Sequence, residues 1–356
     1  MRCGESIIKV LNSDSFNSES LNNYDQVVIL SDINSAKYCL PRIANLGLGQ
    51  IANMRTIVIE EGEAYKTLNQ AESIWQQLIE YNIGKKALLI NIGGGVITDL
   101  GGFVASLYKR GIKYWHVPTT LLGQVDAAIG GKNGIDFLKF KNQIGSITFP
   151  EKILIWPPFL ETLNKRELIS GFAEVIKYAL ISDKSLWDLL QEIGELNEIN
   201  WFNIIERCAS IKSEIVNKDP FEKDVRKALN FGHTIGHAIE SYFLKKGHAI
   251  THGEAIAYGM ECELYLSGLK LNLDSERINK AVTFIRCFFP KIEISSTIRK
   301  SLIELMYKDK KNIGNKINFT LIPELGQFQV NHEIDEQYIL QCMDLYSRMN
   351  YDSIKS

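Results

Sequence analysis

The feature that most limits the fold of this chain is a nearly uninterrupted apolar run that ends in three glycines. The run 87–92 reads Ala-Leu-Leu-Ile-Asn-Ile, and Gly93, Gly94 and Gly95 follow it directly. Such a run predicts a strand buried on both faces, as in a parallel sheet that helices cover. The glycines let the backbone approach a pyrophosphate, although a tight strand-to-helix turn explains them equally well. They do not form the Gly-x-Gly-x-x-Gly fingerprint.

Strands and helices alternate over the first part of the chain. Short β-branched runs predict strands at 26–30 and 56–59. Helical apolar patterns occupy 35–46, 68–81 and 96–109. Pro41 is expected to split or kink the first of these helices. The alternation predicts a Rossmann-like parallel sheet of the nucleotide-binding type.

The pattern changes after a strand at 153–156, where Pro157 and Pro158 interrupt the chain. Beyond them, helices are predicted at 165–181, 201–216, 227–242 and 253–267, with a last strand at 316–322. We therefore expect an α/β N-terminal domain over residues 1–155 and a mainly α-helical C-terminal domain over 156–356.

The composition is that of an ordinary globular protein. Of 356 residues, 45% are apolar and 23% charged, and the net charge of −2 gives no long-range attraction to nucleic acid or anionic membrane. The six cysteines are scattered without a Cys-x-x-Cys pair. We read no signal peptide and no membrane-spanning helix, and we expect a soluble cytoplasmic protein.

Three of the six histidines and one glutamate have the spacing of a metal site. His233 and His237 are four residues apart and share one helix face, His252 lies in a His-Gly-Glu run, and Glu174 is the acid. Imidazoles and a carboxylate are the ligands of catalytic zinc, which keeps one position open for substrate. A single histidine is more often a hydrogen-bonded core residue, but the clustering favours a metal. His233 and His237 are both candidate ligands, or one of them handles protons.

Other polar residues stand beside glycines or apolar residues. Glu174 and Lys177 share a helix face in an apolar stretch, which favours burial over a surface ion pair. Lys132 follows two glycines, and Lys141 precedes Asn142, a combination that suits phosphate or carboxylate.

Asp99 lies four residues after the last of the three glycines and is a candidate to accept a hydrogen bond from the hydroxyls or the amide of a bound cofactor. Gly101 and Gly102 are expected to allow close helix packing. His116 and His332 are interpreted as structural.

These motifs together resemble the 3-dehydroquinate synthase family of sugar-phosphate cyclases. The resemblance spans residues 25 to 325 in the family's order. The matching runs are 93–99, 109–111, 118–122, 124–126, 130–134, 141–142, 173–178, 229–238, 252–255 and, more weakly, 309–311.

The resemblance implies an enzyme that converts 3-deoxy-D-arabino-heptulosonate 7-phosphate to 3-dehydroquinate and phosphate, the first carbocycle of the shikimate pathway. It implies bound NAD and a divalent metal, Zn²⁺ or alternatively Co²⁺. The implied sequence is transient oxidation, phosphate elimination, re-reduction and aldol closure. A homodimer is implied, with no nucleic acid or membrane partner.

The resemblance also assigns residues to roles. Glu174, His233 and His252 are the implied metal ligands, and His237 the implied proton-handling residue. Implied substrate contacts are Asp126, Lys132, Asn142, Lys177, Lys212, Arg226, Asn230 and Lys311, with Arg110 reaching the phosphate site of the other subunit. Implied NAD contacts are Asp32, Glu63, Lys66, Gly94, Gly95, Asp99, Thr119, Thr120, Lys132, Lys141, Thr162 and Glu167.

The chain departs from the family pattern at a few positions. Ala64 stands where a charged residue is common, and 155–158 replaces a more acidic segment near the adenosine. Asn133 stands where threonine is frequent, as in some valiolone-forming relatives. Arg226 is retained, with Asn230 and His237, which favours the dehydroquinate activity. The alternatives are a valiolone-type cyclase, a metal-dependent polyol dehydrogenase and a non-catalytic sensor of nucleotide and metal.

Overall fold

The structure is a computed structural model that describes residues 1–11, 21–45, 54–138, 140–248, 250–307 and 316–348. The chain divides into two compact units. Unit 1 comprises Met1–Leu168 and Asn200–Pro220, and unit 2 comprises Ile169–Ile199 and Phe221–Ser356. The domain boundary expected at 155 stays a prediction.

The structure has strands in both units, and most of them lie in unit 1. In chain order they are β1 (Arg2–Cys3), β2 (Ser6–Val10), β3 (Val27–Asp32), β4 (Arg55–Ile59), β5 (Leu88–Gly93), β6 (Lys113–Pro118), β7 (Lys132–Phe137), β8 (Phe140–Ile147), β9 (Lys152–Ile155), β10 (Ile317–Leu321) and β11 (Gln329–Ile334).

The structure has helices in both units, and more of them lie in unit 2. In chain order they are α1 (Ile33–Tyr38), α2 (Leu40–Asn45), α3 (Leu68–Glu80), α4 (Gly95–Leu107), α5 (Lys165–Ser182), α6 (Lys184–Gln191), α7 (Trp201–Lys218), α8 (His233–Lys245), α9 (His252–Leu271), α10 (Ser275–Phe288), α11 (Ser296–Tyr307) and α12 (Glu336–Arg348).

The described part of unit 1 forms a seven-stranded sheet in the order β1-β2-β9-β6-β5-β3-β4. Every pair in it is parallel except β1 with β2. The predicted combination of a parallel α/β sheet with a helix-rich C-terminal part is confirmed. The strands β3 and β5 are neighbours, and the chain leaves β3 towards β4 on one side and leaves β5 towards β6 on the other, so the two connections run in opposite directions. In open parallel sheets, ligands bind at such a switch point, beyond the carboxyl ends of the strands.

The apolar run before the glycines forms the centre of this sheet. All six residues of β5 are buried, as predicted. Leu89 packs in one core cluster with helices α3 and α4, whereas Leu88 and Ile90 pack on the opposite side with Trp115. A strand covered on both faces shows no polar alternation, which is why its sequence is almost continuously apolar.

The strand β6 escaped prediction because it carries a histidine in a buried position. His116 lies opposite Asn91 in the β5–β6 register, and the Asn91 amide donates to His116 Nδ1 at 3.3 Å. Burial lowers the pKa of His116 to about 3, so the ring is neutral. The structural role predicted for His116 is confirmed. The hairpin β7–β8 also escaped prediction, since its turn carries no Asn-Gly or Asp-Gly signal.

One predicted helix is broken near its start, and the expected division of another is confirmed. The helix predicted at 227–242 is interrupted: a 3₁₀ segment covers Val225–Asn230, and Gly232 has a φ of 80°. A Cβ on Gly232 would lie 2.5 Å from Met260 Cγ, so close packing against α9 explains the break. The expected division near Pro41 is present, because α1 ends at Tyr38 and α2 begins at Leu40.

The helix α9 is the central helix of unit 2. Thr251 and Glu254 form a capping box at its N-terminus, with the Thr251 hydroxyl accepting from the Glu254 N–H at 3.2 Å. Nearly every residue from Gly253 to Ser267 is buried, and a helix apolar on all sides belongs in a core. Among the described residues, we find no helix with both the length and the apolar character needed to cross a bilayer.

Candidate active site

Three helices of unit 2 bring the predicted metal ligands together. Glu174 lies on α5, His233 is the first residue of α8, and His252 is the first residue of α9. Glu174 Oε1 lies 3.6 Å from His233 Nε2 and 3.4 Å from His252 Nε2. The three ligand atoms lie within 4.8 Å of one another.

These separations fit a divalent ion. Metal–ligand bonds of about 2.1 Å place neighbouring ligands of a tetrahedral zinc about 3.4 Å apart. The two distances at Glu174 match that edge without rearrangement. One carboxylate and two imidazoles leave a fourth position for a substrate oxygen, the arrangement of a catalytic site.

The second ring nitrogens orient both imidazoles. His233 Nδ1 lies 3.1 Å from the carbonyl oxygen of Phe231, and His252 Nδ1 lies 3.8 Å from Glu240 Oε1. A proton held on Nδ1 leaves the Nε2 lone pair directed at the cation. Without a cation, burial lowers the pKa of His252, but hydrogen bonds to Glu174 and Glu240 raise it by more, to about 10. Negative charge on both sides of this ring therefore attracts a cation.

A second group overlaps the first. His237, Glu240 and His252 also offer ligand atoms within 4.8 Å of one another. The His233 and His237 rings lie 5.1 Å apart in an edge-on arrangement. Sequence reasoning gave Glu240 no role, although it follows His233 by seven residues and His237 by three. That spacing on a helix was the available signal.

The predicted burial of Glu174 and Lys177 is confirmed. Their side chains are 0% and 1% exposed, and the Lys177 ammonium contacts Glu174 Oε2. The opposite carboxylate oxygen faces the two imidazoles. The Glu174 carboxylate therefore contacts the Lys177 ammonium with one oxygen and faces the candidate metal position with the other.

Glycines allow the three helices to approach this closely. A Cβ on Gly253 would lie 2.0 Å from the carbonyl oxygen of Ser170 on α5, and the Gly253 N–H donates to Ser170 Oγ at 3.0 Å. A Cβ on Gly259 would lie 1.9 Å from the carbonyl oxygen of Gly232. The glycine of the His-Gly-Glu run is therefore needed to bring His252 to Glu174.

We expect Gly253→Ala to damage the metal centre. The added methyl meets backbone, which cannot rotate away, so α9 must shift from α5 at a cost of about 1–3 kcal/mol. Thermal unfolding and zinc affinity by chelator competition measure the effect. Gly268→Ala on the same helix is the control, because its Cβ would come close only to the flexible end of Ile278, at 2.7 Å, and would lie at an ordinary contact distance of 3.6 Å from the Leu273 carbonyl oxygen. Equal behaviour of the two variants would contradict this packing argument.

Two further predicted residues of unit 2 lie in the segment just before α8. Arg226, 2% exposed, lies in the 3₁₀ segment that ends at Asn230. The Asn230 side-chain amide donates to Glu222 Oε1 at 2.7 Å. Lys311 lies outside the described residues.

In unit 1, several predicted NAD contacts lie at the carboxyl ends of β3, β5 and β6. Asp32 ends β3 and caps α1, and Ser35 Oγ bonds both Asp32, at 3.1 Å, and Thr119, at 3.3 Å. Gly94 follows β5, where a Cβ would lie 3.0 Å from Thr120 Cγ2. The residues thus meet at the switch point of the sheet.

The start of α4 fits a pyrophosphate. Gly94 is its N-cap residue and supplies no side-chain cap, and its first turn carries no acidic residue. The N–H groups of this turn, which begins at Gly95, suit an anion that approaches the bare backbone. Close packing also accounts for Gly101 and Gly102, as predicted, since a Cβ there would lie 2.0 Å from Asn91 Oδ1 and 1.7 Å from Asn133 Oδ1.

One turn further along α4, Asp99 joins a charged cluster. The buried Lys66 ammonium donates to Asp99 Oδ2 at 2.7 Å and to Asn142 Oδ1 at 2.6 Å. Glu63 lies 3.9 Å from Lys66 and 3.1 Å from the Lys141 ammonium. Burial raises the pKa of Asp99, and Lys66 opposes that shift. Five predicted residues from three separate parts of the sequence are therefore neighbours.

Another ion pair of unit 1 joins Lys212 on α7 to Asp126. The ammonium donates to Asp126 Oδ1 at 2.8 Å and to its carbonyl oxygen at 2.7 Å. Asp126 lies in a π-helical turn, Gly123–Ala127, a rare geometry that is frequent at functional sites.

The other predicted residues of unit 1 lie on separate elements. Lys132 begins β7, Thr162 ends a 3₁₀ segment and donates to the Phe159 carbonyl at 3.1 Å, and Glu167 lies in the first turn of α5. Arg110 is exposed in a turn where it and Lys109 have φ values of 62° and 49°.

Together, the fold and these sites define a class of enzyme in which a nucleotide-binding type of sheet is combined with a helical metal centre. Family models described as 3-dehydroquinate synthase N-terminal and C-terminal match residues 56–170 and 171–312. The chain belongs to the 3-dehydroquinate synthase family, as the motifs predicted.

Individual relatives agree with this assignment. A 3-dehydroquinate synthase from Parabacteroides distasonis is 39% identical over 96% of both chains. One from Pyrococcus abyssi is 40% identical over 91% of this chain and 94% of its own. The solved structure of 2-epi-5-epi-valiolone synthase from Streptomyces hygroscopicus, with NAD⁺ and Zn²⁺ bound, superposes with a TM-score of 0.87 at 23% identity over 97% of both chains. That last likeness concerns the fold.

Proposed function

We propose that this chain converts 3-deoxy-D-arabino-heptulosonate 7-phosphate to 3-dehydroquinate and phosphate, with NAD and a divalent ion, Zn²⁺ or Co²⁺. Among the structural features, the Glu174–His233–His252 cluster carries the proposal. Its spacing fits a tetrahedral ion with one open position, in a chain that belongs to this family. The bare N-terminus of α4 at the switch point of the sheet supports a bound dinucleotide.

When bound, NAD accepts and returns a hydride, and the divalent ion polarises the substrate oxygens. Glu174, His233 and His252 hold the ion. Lys177 places a buried ammonium group beside Glu174. We assign proton handling to His237, whose ring lies 5.1 Å from the ring of His233.

Anionic groups of the substrate need local positive charge, since the net charge of the chain is only −2. We assign this task to Arg226 with Asn230, and to Lys132, Lys212 and Lys311, with Asp126 and Asn142 as polar contacts. A guanidinium binds carboxylate and phosphate with two parallel hydrogen bonds, and Arg226 is almost completely buried.

The departure at Asn133 does not require a different substrate. Its amide donates to the Gly131 carbonyl at 3.0 Å, to Thr148 Oγ1 at 2.9 Å and to the Tyr114 hydroxyl at 3.2 Å. The side chain therefore joins the ends of the β7–β8 hairpin. Its role is structural in this arrangement.

We further propose a cytoplasmic homodimer in which Arg110 reaches the phosphate site of the other subunit. Three successive left-handed φ values, at Lys109, Arg110 and Gly111, support a constrained turn that presents an exposed guanidinium. Lys85 fixes this turn by donating to the carbonyl oxygens of all three residues. The scattered cysteines support a reducing compartment.

The test is phosphate release from the purified protein with NAD and zinc. We expect release from the heptulosonate phosphate and a product that a dehydratase consumes. Heptulose phosphates that lack the carboxylate should react at least about 100-fold more slowly, since the buried Arg226 guanidinium would lose the anionic group that we assign to it. Equal release from both substrates would favour a valiolone-type cyclase. Accumulation of NADH without phosphate release would identify a polyol dehydrogenase instead.

A further inference from the structure

Asp136 contacts two segments that carry proposed ligand contacts. It lies near the end of β7, and its backbone N–H donates to the Lys66 carbonyl at 2.8 Å. Its side-chain Oδ1 accepts from the backbone N–H of Asn142 at 3.0 Å. Neither sequence reasoning nor the metal and nucleotide sites described above assign it a role.

These bonds close a ring of three residues. The Asp136 N–H donates to the Lys66 carbonyl, and the Lys66 ammonium donates to Asn142 Oδ1 at 2.6 Å. The Asn142 N–H in turn donates to Asp136 Oδ1. Asn142 has a φ of 51°, a left-handed conformation that needs support from its surroundings. The Asp136 carboxylate provides this support by binding its N–H.

The charges around Asp136 come from neighbouring elements. Burial, and after it the charge of Glu63, raise the pKa of Asp136, whereas Lys66, the Asn142 N–H and Lys141 lower it, and the net result is a raised pKa of about 6. The carboxylate thus lies inside the charged cluster and interacts with several of its members.

We propose that Asp136 is a positioning residue, which fixes Lys66 and Asn142 in one arrangement so that both meet their ligands together. The inference rests on the proposed roles of Lys66 as an NAD contact and Asn142 as a substrate contact. Asp136 acts through these two residues and contacts neither ligand itself.

The first test measures the hydrogen bond between Asp136 and the Asn142 amide directly and does not depend on activity. In the full-length protein, we expect Asp136→Ala to accelerate hydrogen exchange of the Asn142 amide about tenfold, because the acceptor is lost. Asp136→Asn retains an oxygen acceptor and should exchange within about threefold of wild type. Gln143→Ala, on the same strand β8, is the control and should leave this amide unchanged. An Asn142 amide that Asp136→Ala leaves unaffected would overturn the proposal.

The second test is a double-mutant cycle in kcat/KM. We expect Asp136→Ala to lower kcat/KM about tenfold or more, and Asp136→Asn to recover most of the loss. Asp136→Ala combined with Asn142→Ala should be little worse than Asn142→Ala alone, since one residue acts through the other. Fully additive losses would contradict the positioning role. Wild-type protein without turnover would refute the proposed function and leave the exchange test intact.

Discussion

His233→Ala and His252→Ala are each expected to empty the metal centre, whereas His237→Ala is expected to keep the metal and lose turnover. The reason is the direction of the ring nitrogens. The Nε2 atoms of His233 and His252 both face Glu174 Oε1, at 3.6 and 3.4 Å. Loss of one of three protein ligands leaves too few donors for tight zinc binding.

Metal content after dialysis and turnover with added zinc separate these outcomes. We expect His237→Ala to hold about one zinc per chain and to lose about 10²–10⁴ in kcat, the usual contribution of a positioned acid or base. His332→Ala is the control, since His332 bonds Gln329 on the outer hairpin β10–β11. Should His237→Ala lose its metal instead, the ion belongs to the overlapping group of His237, Glu240 and His252.

Glu174→Gln is expected to impair both the metal centre and the fold. The substitution keeps the shape of the side chain and removes its charge, so the ion loses its anionic ligand. Lys177, only 1% exposed, then retains a buried positive charge beside a neutral amide. Breaking a buried ion pair in this way costs about 3–5 kcal/mol, so we expect a loss of that order in the free energy of unfolding of metal-free protein.

Urea unfolding in the presence of a chelator measures this loss. The matched control is Asp188→Asn, which breaks the Lys184–Asp188 pair on α6, where both side chains are more than half exposed. We expect less than about 1 kcal/mol there, because water screens surface pairs. If metal-free Glu174→Gln is as stable as Asp188→Asn, burial does not make the Glu174–Lys177 pair important for stability.

Local patterns predicted most of the framework. The apolar run 87–92 became the central strand β5, and Pro41 marked the division between α1 and α2. These features depend on neighbouring residues, through burial on both faces and the fixed φ of proline. The first part of the helix predicted at 227–242 was wrong, because Gly232 adopts its left-handed conformation against Met260, far away in sequence, and α8 begins only at His233.

The candidate site likewise contains residues that the sequence predicted and residues that only the structure revealed. Its members were recognisable from residue types and motif order, and the structure brings Glu174, His233 and His252 within ligand distance. Glu240 and Asp136 went unassigned, because an isolated carboxylate in a sequence shows no partner. Glu240 lies beside His252 on a different helix, and Asp136 bonds Asn142 along the β7–β8 hairpin.

The sequence by itself determined the family, the alternation of strands and helices, and the chemical types gathered at the site, because these depend on local pattern and composition. Only the tertiary structure decided which nitrogen of each histidine faces Glu174, and which glycines are required for the close approach of α5, α8 and α9. Those properties arise from contacts between residues far apart in sequence, such as Gly253 with Ser170. Such contacts exist only after the chain has packed.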